Sequence, residues 1–107
     1  MKILIAGASG LIGTALQAHL GGHEVRTLVR REPRTSAEYR WRPDELRVPQ
    51  EAVEWAEGVV SLSGAPLGRM PWTRSYRRKI YRSRVDATRT LAGAIAAADD
   101  PPQVWVS

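Results

Sequence analysis

Three glycines at three-residue spacing, Gly7, Gly10 and Gly13, follow the short apolar run Ile3-Leu4-Ile5-Ala6. The segment Gly7-Ala8-Ser9-Gly10-Leu11-Ile12-Gly13 runs directly into an amphipathic stretch. Strand, glycine loop and helix thus succeed one another as they do where a dinucleotide pyrophosphate is seated. Each glycine has a physical task. Gly7 turns the chain sharply off the strand, Gly10 removes a side chain that would hold the backbone away from the phosphates, and Gly13 lets the helix pack close to the sheet. The helix then presents free N–H groups and its positive dipole end to the anion.

A second group bears on which dinucleotide is preferred. Arg30 and Arg31 stand seventeen and eighteen positions after Gly13. An acidic side chain here would accept hydrogen bonds from the adenosine ribose hydroxyls and repel a 2′-phosphate, whereas arginine offers a phosphate a forked donor and a fixed charge. NADP is therefore expected ahead of NAD. Two other readings stay open: that both arginines close an exposed strand, and that Glu32 competes as the ribose acceptor. Other chemistry is poorly supplied. His19 and His23 have no cysteine or carboxylate at ligand spacing, so no metal site is expected. Ser9, Ser61, Ser63 and Ser107 have no histidine placed as general base.

These groups must be positioned by regular elements. Residues 2–6 read as a buried parallel strand. Residues 11–20 read as a helix with Leu11, Ile12, Ala15, Leu16 and Leu20 on one face, stopped by Gly21-Gly22. Glu24 to Val29 is a second strand, parallel to the first because a helix separates them. Residues 32–48 read as a surface loop, with a short strand or hairpin around Trp41 as the alternative. Pro49 suits the first turn of a helix ending near Glu57, with Val53, Ala52 and Ala56 inward. Residues 59–62 form a third strand, after which Leu62, Ser63 and Gly64 lead into a loop of small residues facing the same crevice as the glycine loop. Thr73, as N-cap, opens a long helix to Ala98 whose stripe includes Ile80, Arg84, Ala87, Leu91, Ala94 or Ile95 and Ala98, with Arg74, Arg77, Arg78, Arg82 and Arg89 on the wet side. Residues 103–107 begin a fourth strand. The expected fold is α/β, a Rossmann-like doubly wound parallel sheet of about four strands in order 3-2-1-4 flanked by helices.

Composition sets the outer bounds. At 107 residues with 43% hydrophobic content, residues 1–107 make at most one domain, short for a complete two-layer enzyme. No apolar run is long enough to span a membrane, and no signal peptide is expected after Lys2. The absence of cysteine leaves no disulfide framework and makes a cytoplasmic protein the expectation. The net charge of +5 comes from fourteen arginines and two lysines against eleven acids. Without a nucleic-acid motif, solvated helix faces account for it better than nucleic acid does.

The glycine loop, Val29-Arg30-Arg31, Val60-Ser61-Leu62-Ser63-Gly64, Pro71-Trp72-Thr73 and Ser83-Arg84-Val85-Asp86-Ala87-Thr88-Arg89, in this order, resemble the N-terminal part of the NAD-dependent epimerase/dehydratase group. Within it the resemblance is to the atypical short-chain dehydrogenase/reductase subfamily of sugar-nucleotide epimerases. It covers nearly the whole chain. One departure is Ser61-Leu62-Ser63-Gly64, where the family usually has Asn-Leu-Ala-Gly.

The resemblance implies an NAD(P) cofactor, a small-molecule substrate such as a nucleotide sugar, and catalysis by a Ser or Thr after the fourth strand together with a Tyr-x-x-x-Lys pair. Tyr39, Tyr76 and Tyr81 are followed at the fourth position by Pro43, Ile80 and Val85. No such pair is present. The expectation is an NADP-favouring cofactor-binding portion of a reductase or epimerase, truncated relative to the full fold and inactive alone. The alternative is a stand-alone nucleotide-binding or regulatory module, with its arginines available to an acidic partner. A fourth strand left as an edge would expose Val104-Trp105-Val106, so self-association there or marginal stability is expected, and light scattering checks it.

Overall fold

In the computed structural model, residues 1–7, 11–62 and 74–106 are described. The strands are β1 (Lys2–Ala6), β2 (Glu24–Val29), β3 (Glu38–Arg40), β4 (Gly58–Ser61) and β5 (Val104–Val106). The helices are α1 (Leu11–His19), α2 (Gln50–Trp55) and α3 (Arg74–Ala97), with a single 3₁₀ turn at Pro43–Glu45. All five strands are parallel and lie in the order β3-β2-β1-β4-β5.

The continuous apolar run of β1 reflects its central place, covered on both faces. Leu4 and Ala6 point into the larger core cluster, with Ala52 and Val53 of α2, Val59 of β4, and Leu91 and Ala94 of α3. Strand alternation sends Ile3 and Ile5, both buried, to the opposite face, the one on which the right-handed rule for β1–α1–β2 crossovers expects α1. Gly22, at φ +91°, adopts the left-handed conformation that closes the chain after α1.

Two expectations are extended. The sheet has five strands, because residues 38–40, read as loop, hold the third position. The order 3-2-1-4 accordingly becomes 3-2-1-4-5, and the segment expected third is β4, paired with β1 through Ile3↔Gly58 and Ala6↔Ser61. Strand β3 carries no apolar alternation and depends on its partners. Glu38 pairs with Arg31, the Arg26 guanidinium donates to the Tyr39 hydroxyl, and Arg26 also lies 4.3 Å from the Trp55 ring centre. Trp41, just beyond, is 2% exposed and belongs to the core.

Three details of the helices are corrected. Pro49 is the N-cap of α2 rather than part of its first turn. Ala15 is exposed and so does not belong to the inward face of α1. Arg84, expected within the apolar stripe of α3, is also exposed. Burying a guanidinium without a partner would cost more than continuing the stripe gains. The expected cap Thr73 lies outside the described residues. At the sheet edge β5 pairs with β4, and Val104 and Val106 are 48% and 54% exposed.

Candidate cofactor site

The carboxyl ends of β1, β2 and β4 define one crevice. β1 ends in Gly7, at φ 85°, a conformation L side chains rarely adopt. The Leu62 N–H donates to the Ala6 carbonyl at 2.8 Å, so the exits of β1 and β4 are held together and Gly7 and Leu62 stand beside one another. Leu11, Ile12 and Gly13 open α1. Its first turn carries no acidic residue, leaving the positive end of the helix uncompensated within its own sequence. Of the remaining expected contacts, Ala8, Ser9, Gly10, Ser63 and Gly64 lie outside the described residues.

The two arginines after β2 have different surroundings. Arg31 forms a forked ion pair with Glu38, Nη1 to Oε1 at 2.9 Å and Nη2 to Oε2 at 2.8 Å, and donates to the Glu32 carbonyl at 2.9 Å. It ties the end of β2 to β3. Arg30 is exposed and has no ion pair or hydrogen bond among the described residues. It lines a cavity of about 430 Å³ together with Ser75, Arg78, Lys79 and Arg82 of α3, with Asp44 and Asp86 as the acidic members. Four cations against two acids make this cavity attractive to a phosphate.

The contribution of α3 was not anticipated. Its arginines are expected on the solvated side, and Arg78 and Arg82 are exposed; with Ser75, Lys79 and Asp86 they recur at three- and four-residue intervals and share one face. That spacing was the available signal. What it could not show was that β3 and the 3₁₀ turn would bring Pro43 and Asp44 opposite.

Glu38 is held down to about 2 from its ordinary value of 4.5, chiefly by the Arg31 hydrogen bond and next by the Arg34 N–H at 2.7 Å. The pair correspondingly raises Arg31. Between those two values the unfolded chain binds more protons than the folded one, so the stabilisation is present above the upper value and lost as pH falls through the lower. In Glu38→Gln this part of the acid limb is expected to flatten, read as a smaller difference between urea midpoints at about pH 5 and about pH 3.

Among the described residues no group of three or more His, Cys, Asp or Glu could hold a metal ion, and no helix is long and apolar enough to cross a membrane. Tyr39 is engaged by Arg26. Tyr81 is 73% exposed.

The glycine turn on β1, the parallel five-stranded order and the shared crevice together define a Rossmann-type nucleotide fold. The sequence model of the NAD dependent epimerase/dehydratase family matches residues 3–107. The chain belongs to that family. Epimerase family protein ML0860 of Mycobacterium leprae is 37% identical over 98 residues, covering 90% of this chain and 32% of the relative. The human epimerase family protein SDR39U1, solved with NADPH, superposes with a TM-score of 0.80 at 32% identity, covering 98% of this chain and 35% of that one. MoeE5, solved with UDP-glucuronic acid and NAD, gives a TM-score of 0.67 at 27% identity over 92% of this chain and 33% of its own. The chain therefore spans about a third of the length of the family members it matches.

Proposed function

We propose that this chain is an NADP(H)-binding unit, the cofactor half of a reductase or epimerase of the short-chain dehydrogenase/reductase type. The observation that carries the reading is the basic cavity at the carboxyl end of β2, where Arg30 has no acidic partner among the described residues and shares the lining with Arg78, Lys79 and Arg82. Its chemistry suits the additional phosphate that distinguishes NADP from NAD. The NADPH bound to human SDR39U1 supports the same preference, while the NAD bound to MoeE5 shows that both nucleotides occur among the neighbours.

The residues present fit the group. Gly7 would turn the chain off β1 toward the pyrophosphate, its φ of 85° being open to glycine, and the opening turn of α1, Leu11-Ile12-Gly13, would supply backbone N–H donors. Leu62, with Ser63 and Gly64 after it, would border the nicotinamide side of the crevice, and Ala8, Ser9 and Gly10 would complete the loop around the phosphates. A bound nicotinamide supplies hydride transfer, as in reduction or in epimerisation through a transient keto intermediate. Arg31 serves by holding β2 against β3, which positions Arg30. With no Tyr-x-x-x-Lys pair in the sequence, we assign no proton-transfer role to any residue of this chain and expect cofactor binding without turnover. A nucleotide sugar, as bound by MoeE5, is the proposed substrate class of a complete enzyme of this kind.

Calorimetric titration of the folded chain with NADPH and with NADH tests the reading. Saturable binding with NADPH the tighter ligand supports it. Tighter NADH binding overturns the preference, and no binding of either removes the function.

A further inference from the structure

A second and larger cavity lies away from the crevice. It is an open groove of about 880 Å³ bordered by residues 40–42, residues 46–50 and the second half of α3 at Arg89, Thr90, Gly93 and Ala94. It shares no lining residue with the cavity at Arg30. The 3₁₀ turn stands between them, giving Pro43 and Asp44 to one side and its flanks, Arg42 and Leu46, to the other.

The walls are fixed by interactions within the fold. Arg42 and Arg47 exchange both backbone hydrogen bonds, at 2.8 and 2.9 Å, closing the loop on itself. The buried Thr90 hydroxyl, which donates to the Asp86 carbonyl one turn back in α3 at 2.6 Å, also lies 3.3 Å from the Pro43 carbonyl, so the loop packs closely on α3. The start of α2 is fastened to α3 by Gln50 Nε2, which donates to the Ala94 carbonyl at 2.8 Å. A ligand entering here would meet a preformed surface and lose little free energy to ordering it.

Two features of this surface are open to a ligand: the side chain of Leu46, whose backbone N–H caps the 3₁₀ turn by donating to the Pro43 carbonyl, and two of its four arginines. Leu46 stands at φ 54°, ψ 39°, in the left-handed region, with 54% of its surface exposed. A leucine there carries backbone strain of about 1–2 kcal/mol while leaving its side chain in water. The charges are the second feature. Four arginines line the cavity and no acid does. Arg40 is paired with Glu32 and Arg42 with Glu45 at 2.7 Å. Arg47 and Arg89 have no acidic partner among the described residues. Around them the lining is apolar: Trp41, Leu46, Val48, Pro49 and Ala94.

We propose that this cavity binds a small amphipathic anion, an aryl or branched alkyl body carrying one carboxylate, sulfonate or phosphate, at a site separate from the cofactor crevice. The anionic head meets Arg47 and Arg89, which accept it without breaking an existing ion pair, and the body lies along Leu46, Val48 and Pro49. The volume is in the range of small-molecule sites, about 300–1,000 Å³. Burying the body offsets the exposure of Leu46.

The test is a fluorescence titration of the 107-residue chain with anilinonaphthalene sulfonate, an aryl anion of this class. One saturable site is expected. Combining Arg47→Glu with Arg89→Glu weakens binding by about tenfold or more, while NADPH affinity and the urea midpoint stay as in the parent chain, both side chains being exposed. Leu46→Gly relieves the strained φ, so stability is retained or rises while probe affinity falls severalfold. Arg30→Asp leaves probe binding unchanged. The proposal is overturned by unchanged affinity in the double variant, by loss of probe binding in Arg30→Asp, which would place the probe in the crevice, or by the absence of saturable binding. It is also overturned if the double variant instead dissociates a dimer of the parent chain, which would make the cavity an interface between copies.

Discussion

Replacing Arg30 by aspartate is expected to weaken NADPH binding by about ten- to a hundredfold and to leave NADH binding within about twofold of the parent chain. A charge-assisted hydrogen bond to phosphate contributes about 1.5–3 kcal/mol, and the introduced carboxylate adds repulsion to the same group. Arg30 is suited to the experiment because it is exposed and unpaired among the described residues, so its loss removes no contact of the fold. Arg31 is not equivalent. Arg31→Asp would set a second carboxylate against Glu38, whose forked pair with Arg31 ties the chain just after β2 to β3. Its expected effect is lower stability with weaker binding of both nucleotides. Calorimetric titration of each variant with each nucleotide, beside its urea midpoint, separates the two roles. Equal weakening of NADPH and NADH by Arg30→Asp would contradict the assignment of Arg30 to the additional phosphate.

Trp41→Ala is expected to produce the largest loss of stability, about 3–5 kcal/mol. The indole is 2% exposed in a cluster that includes Leu4, Leu28, Val53 and Leu91, so truncation removes its transfer free energy and leaves a cavity that rigid neighbours cannot fill. The Trp41 backbone N–H donates to the Val29 carbonyl at 2.9 Å, a bond that alanine retains, so the loss comes from the indole's packing. A chain of this size has a total stability of about 5–15 kcal/mol, so the variant loses a large fraction of it. The urea midpoint should fall steeply with little change in slope. A midpoint within the error of the parent chain would show that Trp41 does not hold the loop to the sheet.

Trp41 also illustrates where the sequence was hard to read. Strands β1 and β2 were legible because their apolar patterns are local: the run Ile3 to Ala6, and the Val25, Leu28 and Val29 positions. The inward set of α2, Ala52, Val53 and Ala56, was legible for the same reason. β3 was not, because Glu-Tyr-Arg is held by side chains thirteen or fewer positions away, Arg26 on Tyr39 and Arg31 on Glu38, rather than by a periodic apolar face. Trp41 lies between two arginines, and only tertiary packing makes it a core residue.

The site divides similarly. The role of Gly7 follows from a strand, a turn and a helix in succession, and its positive φ agrees with it. The difference between Arg30 and Arg31 could not be seen, since it depends on Glu38 lying in a strand. Equally hidden was the third wall of the cavity, because nothing local in Arg78, Lys79 and Arg82 shows which side of α3 meets the 3₁₀ turn.

The central claim is the place at which the dinucleotide binds, and amide chemical-shift mapping of the isotope-labelled chain on addition of NADPH tests it most directly. The expected result is saturable shifts concentrated at Gly7, Leu11 to Gly13, Arg30, Leu62 and the Ser75–Arg82 turns of α3, with residues 46–50 and 89–94 little changed. Shifts confined to residues 46–50 and 89–94, or no saturable shift in a folded sample, would contradict it.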